Sequence, residues 1–363
     1  MSNKKLAVLG IVAAAMVVWA VVQSQIANRT TGGTVAGASL LQGIDPATIG
    51  SIIVQADGNT VTLSRLGNTF VVVEKENYPA QTSQINNLIT SCFDMQTAEL
   101  ITSDKANYAE LGVSDEKPEK AVKFLKADKS PIAGVLIGKA SKDMQGTYVR
   151  RVSDDKTYLS TNVPWLQTAA MDYIDKKLTD VDRANIVKVS VTAPDGSYAI
   201  ANEPNRGVML ENVPVGKKAR TNEVEQVLTA LTSLQFDNVK KDAGAISFDK
   251  TYVCRLKDST VYTLNLAAKD GKTYAKCSAE FTDTREVLKK NTQESETELK
   301  AKEAKLLARD KADAFAKKTQ GWIYEIPEGK AKNLTMKFAD LVESEPNKPS
   351  EPNRPTDANS VAK

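Results

Sequence analysis

The sequence predicts an α+β protein: two tandem diverged repeats of an antiparallel β-meander plus helices, behind one N-terminal transmembrane helix. Three observations lead there. An uncharged apolar run, LAVLGIVAAAMVVWAVV, fills residues 6–22, and no later stretch resembles it. Two stretches of alternating apolar residues, 49–74 and 186–212, each contain an Asp-Gly pair, Asp57-Gly58 and Asp195-Gly196, which supplies the positive φ of a tight hairpin. Each stretch is followed by apolar residues at helical spacing: Ile85, Leu88 and Ile89 in one, Val224, Val227, Leu228 and Leu231 in the other.

The apolar run comes first. At about 1.5 Å per residue it is a short bilayer span, which the next few uncharged residues lengthen. Its strongly apolar residues favour insertion by roughly 0.3–0.6 kcal/mol each. Lys4 and Lys5 precede it and only Arg29 follows closely, so the positive-inside bias holds the N-terminus in the cytoplasm and puts the body outside. Trp19 suits the membrane interface. A cleaved signal peptide shares the basic start and apolar middle and is the competing reading, with Ala36-Gly37-Ala38 as its best cleavage site. The expected layout is a cytoplasmic tip and anchor over residues 1–27, a flexible tether over 28–43, repeats over 44–178 and 179–343, and a disordered Pro-, Asn- and Glu-rich tail over 344–363.

Each repeat reads as three strands and a helix, with Thr82 and Thr221, or the polar residue after each, as candidate N-caps. Further strands are expected over 121–125, 131–138, 146–152 and 157–160, then a helix over 163–173. In the second repeat TYVCRL, VYTLNL and KTYAKCSAEF take the corresponding places, GWIYEI the fourth, and residues 331–342 the closing helix. A Pro- and Gly-free insertion, residues 284–319, interrupts this second copy. It is charged and predicted helical, either as a solvated helix or as an arm that docks a partner.

Composition excludes more than it assigns. The chain has 48 basic and 45 acidic residues, a net charge of +3, which makes no electrostatic case for nucleic acid. It has no histidine, so Ser-His and Cys-His nucleophile pairs and most transition-metal sites are absent. Ser114 and Lys117 match Ser-x-x-Lys, but in a polar turn ending at Pro118. Gly138-Lys139-Ala140-Ser141 reads as a hairpin turn and not a phosphate loop. Asp180 and Asp182 read as caps or solvated acids, and Trp165 and Trp322 as core residues. No catalytic, cofactor-binding or metal-binding residue is expected. Cys92, Cys254 and Cys277 form no disulfide framework. Cys254 and Cys277 fall in strands read as neighbours, which leaves a disulfide and two buried thiols both open.

Tyr108, Leu111 and Gly112 before a strand, Ile137-Gly138 near a strand end, Tyr148 and Arg150 in Tyr-x-Arg, and a short acidic link into the next repeat together resemble the bacterial domain-of-unknown-function 4340 family. The likeness covers most of residues 44–239, and the GWIYEIPE ending is similar to the family's tail; the long insertion is atypical of it. The resemblance implies a membrane-anchored extracytoplasmic protein associated with ABC-type gliding and transport systems, and brings no catalytic residues. The expected function is therefore a non-enzymatic interaction or assembly component of an envelope transport system in the bacterial inner membrane, with integral transporter subunits as partners. The alternative is a periplasmic binding module for a glycan, peptide or lipid, using a cleft expected between the two repeats and lined by Tyr, Trp and Arg; an enzyme would need carboxylates or Lys and Ser to converge in space.

Overall fold

A computed structural model describes residues 37–143, 145–285 and 295–345. The apolar run at 6–22 and most of the tail therefore lie outside the described residues. No helix among the described residues is long and apolar enough to cross a membrane. The fold is mixed helix and strand, with mostly antiparallel sheets.

Strands β1 (Ser51–Ala56), β2 (Asn59–Leu66), β3 (Thr69–Val72) and β4 (Tyr78–Pro79) form a meander before helix α1 (Thr82–Phe93). Strand β5 (Glu99–Thr102) and helix α2 (Tyr108–Leu111) lead to β6 (Lys120–Leu125), β7 (Pro131–Ala140), β8 (Thr147–Arg151) and β9 (Thr157–Ser160). Their order is β4-β3-β2-β1-β6-β7-β8-β9-β5. Alternation drives the meander: β1 buries Ile52, Val54 and Ala56 and turns the residues between them outward. The β1–β2 turn is the one expected, with φ 51° at Asp57 and 76° at Gly58 between the paired Ala56 and Asn59.

After β10 (Lys177–Thr179) come β11 (Ile186–Ala193), β12 (Gly196–Glu203), β13 (Gly207–Leu210), β14 (Lys217–Ala219) and helix α3 (Thr221–Leu228). Then follow β15 (Leu234–Gln235), β16 (Asn238–Lys241), β17 (Lys250–Leu256), β18 (Thr260–Lys269) and β19 (Lys272–Phe281). Helix α4 (Glu296–Thr319), β20 (Trp322–Ile326), helix α5 (Glu328–Thr335) and β21 (Val342–Ser344) complete the described chain. The second large sheet runs β13-β12-β11-β17-β18-β19-β20-β16, and β10 with β15 and β14 with β21 make two small sheets.

The described residues divide into two compact units. One takes in Ile89–Val122 and the described part of Ala133–Trp165; the other takes in Pro46–Leu88, Lys123–Ile132 and the described residues from Leu166 onward. In the second unit Tyr78, Phe236 and Tyr324 are at most 2% exposed. Tyr78 meets Trp322 edge-on at 4.9 Å between ring centroids, Phe236 and Tyr324 lie 4.9 Å apart, and the Tyr78 and Tyr324 hydroxyls are 3.5 Å from each other. Such contacts add about 0.5–1.5 kcal/mol per pair to the area they bury. Tyr252, fully buried, donates its hydroxyl to the Val227 carbonyl at 2.8 Å and so ties β17 to α3.

Several expectations change. Pro194 and Asp195 form the second hairpin loop, because Ala193 pairs with Gly196. Proline fixes its own φ near −65°, so the loop moves back by one residue and Gly196 opens the next strand at φ 139°. Residues 163–173 form no helix: Pro164 sits in an irregular stretch that reaches only a 3-10 turn at Ala170–Tyr173. Leu166 is buried there, while Trp165 is 82% exposed and is not a core residue. Thr221 is the first helical residue of α3 and not its cap; the cap position is Arg220, whose side chain makes no capping bond. The closing helix begins earlier than read, at Glu328, and ends at Thr335 before a separate 3-10 turn.

Cys254 and Cys277 are not on neighbouring strands, since β18 lies between β17 and β19. All three cysteines are free and buried. Burial pushes the Cys92 and Cys254 thiols up to about 12 and raises that of Cys277 as well. The thiolate is the reactive form, so iodoacetamide at neutral pH is expected to label none of the three in the folded chain and all three in concentrated urea; a cysteine labelled in both states would contradict this burial. Tyr324→Ala removes the centre of the aromatic cluster and is expected to lower the unfolding free energy by about 3–5 kcal/mol in urea titrations.

Candidate functional site

Two clusters of polar side chains are built from distant parts of the sequence. The first gathers around Arg150 on β8, whose side chain is 3% exposed. Its Nε donates to the Val113 carbonyl at 3.0 Å and its Nη1 to the Asp154 carbonyl at 2.9 Å. Nη2 lies 2.7 Å from Asp115 Oδ2, close in distance but out of line for a hydrogen bond. The guanidinium also stacks over the Tyr108 ring, 4.4 Å from its centroid, and the Tyr108 hydroxyl donates to the Asp155 carbonyl. One buried cation thus fixes the turn after α2, the turn after β8 and the ring between them.

The apolar side of this cluster is Tyr108, Val113, Ala121 and Leu136, with Leu111, Tyr148 and Val152 packed against it. Gly112 ends α2 in the left-handed region at φ 76°, which L side chains enter at a cost. A Cβ at Gly138 would stand 2.1 Å from the Leu111 carbonyl oxygen, so only glycine allows α2 this close to β7. Tyr108, Leu111, Gly112, Gly138, Tyr148 and Arg150 therefore meet in one place, and Ile137 is buried beside Gly138 in β7. The guanidinium nitrogens face acceptors of the chain itself, which makes this a structural latch.

The other short motifs resolve into turns and a strand end; Gly138-Lys139-Ala140, expected as a hairpin turn, lies in β7. Ser114 Oγ accepts from the Lys117 backbone N–H at 3.3 Å. The stretch Gly138-Lys139-Ala140 finishes β7, and Ser141 Oγ donates to Asp143 Oδ1 at 2.6 Å while accepting from Gly146 N–H. Asp182 accepts from the Ala184 N–H at 2.9 Å, capping a 3-10 turn, and Asp180 pairs with Lys177 and accepts from Ser233. Among the described residues no group of three or more Cys, Asp and Glu could hold a metal ion.

The second cluster escaped the sequence reading, which left the charged insertion as a solvated helix or a partner-docking arm and named no contact for it. Asp283, 12% exposed, accepts from Arg285 through both the backbone N–H (3.1 Å) and the guanidinium (2.9 Å to Oδ1 and 2.7 Å to Oδ2), and Lys305 Nζ lies 3.1 Å away. Lys305 also donates to the Arg285 carbonyl, pinning α4 to the end of β19. These bonds, the Arg285 side chain first, hold the Asp283 carboxyl well below the usual range. A groove of about 470 Å³ opens here beside Lys257, Phe281, Ala301, Lys302 and Ala304. The spacing Asp283-x-Arg285 across the start of the insertion was the available signal.

Arg150→Met is expected to cost about 3 kcal/mol, from two charge-assisted hydrogen bonds and the ring contact. Asp115→Asn is expected to cost under about 1 kcal/mol, because that carboxylate is 63% exposed. Thermal and urea unfolding of the two variants measures the difference, and equal losses would contradict the latch.

No curated protein and no solved structure shows significant similarity to the chain. A family model does match, over residues 71–250, and its description is Domain of unknown function (DUF4340). The match takes in every residue of the Arg150 cluster, and over residues 71–250 the chain matches the domain-of-unknown-function 4340 family.

Proposed function

We propose that the chain is a non-enzymatic, membrane-anchored extracytoplasmic component that makes protein contacts within an envelope transport system of the ABC type. In this reading residues 6–22 anchor it in the inner membrane with the N-terminus inside, and the body is two diverged copies of one α+β unit. Support for the duplication comes from strand order: β3-β2-β1-β6-β7-β8-β9-β5 and β13-β12-β11-β17-β18-β19-β20-β16 correspond place for place. The chief departure is α4, a 24-residue helix entering between β19 and β20 where β8 and β9 are joined by a short turn.

The observation that carries the contact role is on that helix. Leu299, Leu306 and Leu307 are 52%, 38% and 51% exposed, while the helix packs on the sheet through Ala308, Ala312 and Thr319 in its second half. Exposed apolar groups gathered on one element mark interaction surfaces more often than scattered ones do. For the ligand-binding alternative, Tyr78, Phe236 and Tyr324 are spent on packing against one another in the core.

Crosslinking in membranes followed by detergent extraction is expected to recover this chain with integral transporter subunits; recovery as a lone protein under every crosslinking condition would contradict the proposal. Removing residues 1–27 is expected to release the body from the membrane fraction, and a body that still sediments with membranes would contradict the anchor.

A further inference from the structure

Strand β5 forms one rim of the first large sheet. Among the described strands it pairs with β9 alone, and its Leu100 and Ile101 are exposed. A bare apolar rim is a template for other chains, and natural sheets guard theirs with Lys, Pro or a covering segment. The opposite rim, β4, contains Pro79. In the matching place of the second sheet, β16 carries Lys240 and Lys241, and the Lys241 N–H donates to the Glu76 carboxylate at 3.2 Å. Strand β5, with the sequence ELIT, has neither Lys nor Pro.

The chain itself begins to cover this rim. Just ahead of β5, the Leu40 N–H donates to the Met95 carbonyl at 2.9 Å and the Thr97 N–H to the Ala38 carbonyl at 3.0 Å, with Ser39 paired to Gln96 between them. Thr97 Oγ1 adds a bond to the same Ala38 carbonyl at 2.9 Å, and Leu40 and Leu41 are buried at the end of this short antiparallel ladder. The ladder lies on the side that β9 leaves open, because the next N–H, that of Ala98, turns the other way to the Leu159 carbonyl at 2.8 Å. Gly37 comes in tightly, since a Cβ there would overlap the Thr97 carbonyl oxygen. Continued toward the N-terminus, the same register sets Ala36 opposite Glu99 and Val35 opposite Leu100.

We infer that the occupant of this rim is the chain's own segment ahead of Gly37, residues 34–36, which adds to β5 as a further antiparallel strand. The register that would carry it is already running at Ala38 and Leu40. Thr34 and Val35 are strand-forming residues, and Gly32-Gly33 ends the run behind them. An attached segment also meets the rim at an effective concentration on the order of millimolar, which a separate strand has to exceed. The pairing has a consequence that rests on the anchor proposed above. Only residues 28–33 then separate anchor from rim, at most about 20 Å of extended chain, so the β5 rim is held toward the membrane.

The test uses the full chain in phosphatidylcholine nanodiscs. Val35→Cys with Leu100→Cys puts two thiols at a non-hydrogen-bonded pair, whose close Cα spacing suits a disulfide, and the buried native cysteines do not compete. A mild oxidant is expected to close this pair about tenfold faster than the slipped pair Ala36→Cys with Leu100→Cys. By hydrogen exchange the Glu99 amide is expected to be protected about tenfold or more. That protection is expected to vanish in Thr34→Pro with Ala36→Pro, which removes two donors to the rim, while the amides between β1 and β2 stay protected. Equal closure of the two cysteine pairs overturns the inference. So does Glu99 protection that survives both prolines, or a Leu100→Cys chain that crosslinks only between molecules, since each assigns the rim to another strand. A Val35–Leu100 disulfide in a body that still sediments with membranes after loss of residues 1–27 overturns the anchor and leaves the pairing standing.

Discussion

The large sheets depend on one constraint: an antiparallel strand alternates its faces, so a single register decides which side chains reach the core. In β1 the buried Ile52, Val54 and Ala56 sit opposite Leu63, Val61 and Asn59 of β2, and the same bookkeeping in β11 sets Val189 and Val191 against Ile200 and Tyr198. Tyr198 then donates its hydroxyl to the Met336 carbonyl at 2.8 Å just beyond α5. A slip of one residue would expose all of these at once. The helices follow from this, since α1 and α3 exist to cover apolar faces that the strands have already chosen, and α3 does so with Val224, Val227 and Leu228.

Much of this was legible in the sequence because it is local. Period-two alternation located the meanders, Asp57-Gly58 located a turn, and the spacing of Ile85, Leu88 and Ile89 located a helix. What was not legible depended on competition between neighbours or on distance. Pro194 outranked Asp195-Gly196 in placing the second loop. Pro164 stopped a helix whose apolar spacing looked sufficient, and Leu166 took the buried place that had been given to Trp165. The order of strands, which no local pattern encodes, separated Cys254 from Cys277.

The two polar clusters show the same division. The residues around Arg150 could be picked out one by one, yet only the fold brings Tyr108, Val113 and Asp154 to a single guanidinium. Their role is internal: the cation is desolvated, and carbonyl oxygens compensate it at the ends of two turns. The Asp283 cluster works at a surface, where one carboxylate organises two cations and, through Lys305, ties down the first half of an inserted helix. Family resemblance pointed at the first cluster, and the second lies beyond the residues that the family model matches.

The sheet that holds α4 closes late. β16 pairs with β20 in that sheet, and β14 with β21 in a small separate one, so both partners of the earlier strands come from the last described segment of the chain. During synthesis, β17, β18 and β19 can zip as hairpins while β16 waits with an unpaired edge and Phe236 without Tyr324. Loop closure over such separations is slow relative to hairpin formation. A chain that ended before Trp322 would keep most of its hairpins and still present an open edge to other chains, so the C-terminal segment acts as the seal on the second sheet.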